Sequence, residues 1–129
     1  MDRLKDGVRI EPDVVTFNGD LRKELRAQIN ITNKADQKLS YKIKVTNNEL
    51  FRIQLSCDLI SPGERKTVSI TFKPPEGPLP DPSRHHIGAY FVPAPEGCTA
   101  LSVWHEHYGP AVVEKRIRIS LMDTGRRNA

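Results

Sequence analysis

The chain is poor in what most specialised chemistries require. Aromatic residues fill 6% of its 129 positions, with a single tryptophan and two cysteines. Cys57 and Cys98 have no CxxC spacing, which argues against a zinc ribbon. Nothing approaches the roughly 20 consecutive apolar residues that a membrane-spanning helix needs. The first residues, Met1 to Gly7, have no apolar h-region, so no secretory leader is expected and the cytosol is the expected compartment. In a reducing compartment both cysteines are expected to be free thiols, and the Asn30-Ile31-Thr32 sequon means little. There is no Gly-x-Ser-x-Gly elbow, no Gly-x-Gly-x-x-Gly and no phosphate loop. Catalysis and a cofactor are therefore not expected. The net charge of +4 is mild. It favours an acidic partner over a basic one, and falls short of a dedicated nucleic-acid binder.

What the chain does have is alternation. Leu25, Ala27, Ile29 and Ile31 fall on one face of an extended segment, while Arg26, Gln28, Asn30 and Thr32 fall on the other. After a polar Asn-Lys-Ala-Asp turn, Leu39, Tyr41, Ile43 and Val45 point one way and Ser40, Lys42, Lys44 and Thr46 the other. Period two marks half-buried strands. The same reading gives an edge strand over 8–17 kinked at Pro12, a strand over 50–55 with Phe51, Ile53 and Leu55 inward, and a Cys57-to-Gly63 turn. It gives further strands over 65–73, 85–92 and 112–121. Pro74 to Pro82 is a stiff surface connection, and Pro93 to Pro110 a long one holding Trp104, which is expected to fold back over the end of the sandwich. About seven short strands and no convincing helix predict an all-β, seven-stranded immunoglobulin-like β-sandwich. Residues 1–6 read as an N-terminal tail, 7–122 as the domain and 123–129 as a basic C-terminal tail. The inward register predicts a core of Ile29, Ile31, Tyr41, Ile43, Phe51, Ile53, Val68, Ile70, Phe72, Ile87, Phe91, Ile117 and Ile119.

The chain resembles the major sperm protein domain family, which includes the VAMP-associated proteins and the small sperm-specific proteins of nematodes. The resemblance lies in Ile31-Thr32-Asn33, in Tyr41-Lys42-Ile43-Lys44-Val45-Thr46-Asn47 and in Ile60-Ser61-Pro62. Glu11-Pro12 followed by Val15-Thr16-Phe17 fits the family's proline-kinked first strand, and Cys57 falls where major sperm protein itself has a cysteine. Tyr90-Phe91-Val92-Pro93-Ala94-Pro95 looks most like the small sperm-specific branch. The likeness covers roughly residues 7 to 122. It implies no catalysis and work by protein–protein contact: binding or regulating filaments that drive amoeboid motility in nematode sperm, in the cytoplasm and pseudopod. The alternative it implies is an adaptor for acidic peptide motifs, as in the VAMP-associated branch. That branch uses two threonines and a methionine on its peptide; the matching positions are read here as Arg26-Ala27 and Thr71. Homo-oligomerisation is left open, and neither nucleic acid nor membrane insertion is expected.

Two surface features carry chemistry. His105-Glu106-His107 offers two imidazoles but no third ligand, so no metal site is expected. The stronger candidate is a protein-binding face. If the strands holding Lys42 and Lys44, Tyr90, and Arg116 and Arg118 lie side by side, four cations gather around one tyrosine, with His86 and Glu114 on the same face. Tyrosine and arginine are typical interface anchors.

Overall fold

A computed structural model describes residues 7–106 and 111–124. Two sheets pack face to face. Sheet A has the order β1 (Val8–Glu11), β3 (Leu25–Asn33), β7 (Arg65–Phe72), β5 (Phe51–Gln54). Sheet B has the order β2 (Val14–Gly19), β9 (Val113–Asp123), β8 (His86–Pro93), β4 (Leu39–Val45), β6 (Cys57–Ile60). All pairings are antiparallel except β2 with β9. A 3-10 turn, Pro82–Arg84, is capped by Asp81, whose carboxylate accepts from the Ser83 amide.

The described residues form nine strands where the sequence predicts seven, and the difference has two local causes. The proline-kinked first strand is two strands. Proline cannot donate to a ladder, and around the cis Glu11–Pro12 bond the chain leaves sheet A as β1 and joins sheet B as β2. The second cause lies at Leu55, expected to point inward. It instead sits at φ 60° and is 64% exposed, because here the chain leaves β5 for β6 on the other sheet. The segment from Cys57, read as a turn, is thus strand up to Ile60. Ile53 is half-buried rather than central because β5 is an edge.

The rest of the predicted core is buried. Inward residues meet across β3 and β7 as Ile29 opposite Val68 and Leu25 opposite Phe72. Phe17, Phe51 and Phe72 form a tilted aromatic cluster with centroids 5.6–5.9 Å apart. Such pairs contribute about 0.5–1.5 kcal/mol beyond area burial. Asn33 is the polar hub of this interior. Its side-chain amide donates to the Gln37 and Ile60 carbonyls, and its oxygen accepts from the Ala35 amide.

A helix the sequence reading did not anticipate, α1 (Ala100–Glu106), occupies the long 93–110 connection. Thr99 and Ser102 cap it reciprocally: the Ser102 amide donates to Thr99 Oγ1, and the Thr99 amide to Ser102 Oγ. This is a capping-box arrangement. The helix lies on the outer face of sheet B. Val103 is buried with Val92 and Ala94, and Leu59, Cys98 and Trp104 pack around them. Trp104 thus covers a sheet face, not the end of the sandwich. Its Nε1 donates to Ser40 Oγ at 2.9 Å, and that hydroxyl donates to the Ala100 carbonyl.

Candidate functional site: a cationic sheet face and its edge groove

Strand β8 lies between β4 and β9, so the five residues singled out by alternation share one face. The cross-strand rows are Lys42–Tyr90–Glu114, then Lys44–Gly88–Arg116, then His86–Arg118. Lys44, Arg116 and Arg118 are exposed; Lys42 and Tyr90 are half-buried. Gly88 decides where the tyrosine goes. A Cβ there would stand 2.6 Å from the Tyr90 hydroxyl and 2.9 Å from the ring. The phenol therefore lies flat over the glycine, in the row flanked by Lys44 and Arg116. Lys44 Nζ stands 5.7 Å from the ring centroid. Lys42 Nζ stands 5.0 Å over Trp104. Each lysine of β4 thus rests on an aromatic ring, an arrangement worth about 0.5–1 kcal/mol at exposed sites. It also limits the rotamers from which each ammonium reaches out.

Alternation alone does not reveal what borders this face. The ladder between β4 and β6 ends at Lys42 opposite Cys57. One further bond follows, from the Ile43 amide to the Ser56 carbonyl. Thr46 turns its amide the other way, to His86. By parity the amide and carbonyl of Val45 face away from β8, beyond the end of β6. There a cleft of about 510 Å³ opens between β4 and β5, lined by Ile43, Val45, Phe51 and Ile53 with Lys44 and Arg52 at its rim. It combines an apolar floor, an edge-strand backbone and charge of one sign. A larger cleft, about 590 Å³ beside Pro12, mixes Arg9, Glu11, Asp13, Lys34 and Lys115. Arg9 and Glu11 pair there at 2.7 Å and Asp13 offsets one of the two lysines, so its charge is mixed rather than of one sign.

The remaining candidates separate. Arg26 and Thr71 are cross-strand partners on sheet A, the opposite side of the molecule from Lys42 and Lys44. They cannot serve the same bound segment as the lysine-bearing strand. His105 sits exposed in the last turn of α1, and His107 lies outside the described residues. Among the described residues no three His, Cys, Asp or Glu side chains gather as metal ligands. Cys57 and Cys98 are free and half-buried. Burial pushes the Cys57 thiol up, against the pull of Lys42 opposite it and a hydrogen bond with Ser40. A thiol held protonated is a poor nucleophile. No described helix is long and apolar enough to cross a membrane.

Known proteins resemble this chain in sequence or in architecture. Vesicle-associated protein 3-1 of Arabidopsis thaliana is 28% identical over 118 residues, covering 88% of this chain and 79% of that protein. The vesicle-associated membrane protein-associated protein SCS2 of Saccharomyces cerevisiae is 24% identical, over 89% of this chain but 50% of its own length. The human vesicle-associated membrane protein-associated protein A is 22% identical, over 83% of this chain and 43% of its own. This chain therefore spans about half or less of the yeast and human relatives. Among solved structures, SSP-19, an MSP-domain protein like family member of Caenorhabditis elegans, superposes with a TM-score of 0.70 at 22% identity. That match covers 88% of this chain and 97% of SSP-19. The PapD-like domain 7 of human CEP192 superposes at 0.64 with 14% identity, over 95% and 89% of the two chains. The sequence profile of the MSP (major sperm protein) domain matches residues 7–105, and the chain belongs to that family.

Proposed function

We propose that this chain is a non-enzymatic protein-interaction domain that holds an acidic, extended segment of a partner along β4. The observation that carries the reading is the continuity of two features at Lys44. On one side lies the face of Lys42, Lys44, Tyr90, Arg116 and Arg118. On the other lies the apolar edge groove beside Val45. A strand-like segment would bond its backbone to the Val45 edge, seat an apolar side chain against Ile53 and Val45, and direct carboxylates toward the lysines. The field would steer such a segment, and affinity would fall as salt rises.

Two partners fit this site. One is the filament system of nematode sperm, whose filaments or regulators would be bound in the cytoplasm during amoeboid motility. The fold match to an MSP-domain protein like family member of C. elegans, over 97% of the solved chain, supports it. The other is a set of acidic peptide motifs captured by an adaptor of the VAMP-associated type, supported by the curated relatives. Co-sedimentation with major sperm protein filaments, run beside pull-down by an acidic two-phenylalanine peptide, separates them. Tyr90→Ala should weaken the productive interaction more than any single lysine change, since central aromatics carry more interface energy than rim charges. If Lys42→Glu with Lys44→Glu binds both partners undiminished, this face has another use.

A further inference from the structure

The outer face of sheet A is the unexplained surface. Its outward side chains on all four strands are polar or charged, and none is apolar. At one corner the register is specific: Thr71 on β7 is the cross-strand partner of Arg26 on β3 and also of Arg52 on β5. With strands about 4.8 Å apart, the two arginine Cα atoms stand about 10 Å from each other with a hydroxyl midway. Both arginines are exposed, and among the described residues neither forms an ion pair. The nearest carboxylate in sequence, Glu24, is held by Lys73 at 3.5 Å.

A guanidinium presents a planar fork of donors that matches phosphate or carboxylate oxygens two at a time. One fork suffices for a carboxylate. Two forks flanking a hydroxyl on neighbouring strands supply two positive charges and donors from three residues, which match the nearly double charge and three oxygens of a phosphate monoester better than a singly charged carboxylate. We infer that Arg26, Thr71 and Arg52 form a binding site for a phosphorylated side chain of a partner protein. A membrane phosphate fits less well, because this face has no apolar residue to enter a bilayer and no dense polybasic cluster. Nucleic acid fits less well because no aromatic side chain here offers a stacking surface. Arg26 and Thr71 lie on the opposite sheet face from the β4 surface, while Arg52 also borders the β4–β5 cleft, so variants at Arg26 test this site apart from the acidic-segment reading.

The test is an amide and arginine Nε NMR titration of the whole chain. The probes are inorganic phosphate, then a phosphoserine peptide, its unphosphorylated form, and phosphatidylserine vesicles. Shifts should map to Arg26, Arg52 and Thr71, and the phosphopeptide should bind where the unphosphorylated peptide does not. Arg26→Gln should weaken it about tenfold or more, as expected for a lost charge-assisted fork. Arg26→Lys should restore part of that, and Thr71→Val should weaken it a few-fold without altering net charge. An unchanged two-dimensional spectrum outside β3, β5 and β7 confirms that each variant folds. Shifts confined to Lys42 and Lys44, an Arg26→Gln variant that binds as the parent does, or vesicle capture that needs Arg26 would each overturn the assignment. Binding of the acidic peptide to the β4 face, read in the same samples, should not respond to Arg26→Gln.

Discussion

Replacing Gly88 by alanine isolates the placement of Tyr90 from its chemistry. The added Cβ would meet the Tyr90 hydroxyl at 2.6 Å and Cε2 and Cζ at 2.9 Å. These atoms are the far end of a side chain that is half-buried on an outer sheet face, so the ring can swing away. Two opposing terms then set the stability. Alanine narrows the unfolded ensemble and contributes about 0.4–1 kcal/mol. Losing the Lys44–Tyr90 contact costs about 0.5–1 kcal/mol. Gly88→Ala should therefore leave the unfolding free energy within about 1 kcal/mol of the parent, read by urea denaturation. Binding should suffer more than folding, since the displaced ring vacates the row between Lys44 and Arg116. An acidic-segment dissociation constant raised several-fold, with loss of ring-current shifts at the Lys44 methylenes, is the expected result. Had the ring been wedged in place, overpacking would cost about 1–3 kcal/mol. A destabilisation above 2 kcal/mol, or a variant that keeps the Lys44 ring-current shifts, refutes the reasoning.

Asn33→Ala should cost about 2–4 kcal/mol by thermal or urea unfolding, because it strands the buried Ile60 carbonyl and frees the turn held through Gln37 and Ala35. Ser40→Ala removes the acceptor that Trp104 uses and the donor to Ala100, so tryptophan emission should shift red as α1 loosens from the sheet. Tyr41 gives an alkaline signature. Burial, with the nearby Asp58 charge, pushes its phenol from 10.0 up to about 12, and the hydroxyl donates to the Leu55 carbonyl. The raised value means that its stabilisation is complete below about pH 10 and is lost between about 10 and 12, where only the unfolded chain ionises. The total is at most about 2–3 kcal/mol, and Tyr41→Phe should flatten the pH dependence in that window.

Period-two alternation made much of this molecule readable. It placed β3, β4, β7, β8 and β9 to within two residues at either end, and the five residues of the cationic face follow from it directly. Alternation is a property of one strand, however, and says nothing of which sheet a strand joins. The passages from β1 to β2 and from β5 to β6 were hidden for that reason, and with them the fate of Leu55. The edge groove was hidden more deeply. Val45 and Ile53 meet across the gap between the sheets, and no spacing in the sequence relates them. The helix did leave a signal, the Thr99-x-x-Ser102 cap, but a segment of seven residues carries too little periodicity to be seen beside it. Asn33 stood out only through the family resemblance, because one polar residue at a strand end looks like any turn.

The four edges of the two sheets are β1, β5, β2 and β6, and these are the halves of two continuous chain segments. Each side of the sandwich is thus crossed by covalent backbone, and the β4–β5 cleft opens beside one of these crossings. Shear of one sheet across the other would have to stretch the chain at Pro12 and at Leu55. The domain is in consequence a stiff plate, its two sheets about 10 Å apart. Partners seated on its opposite faces would be held at a fixed distance and angle, so the molecule can act as a gauge block between them.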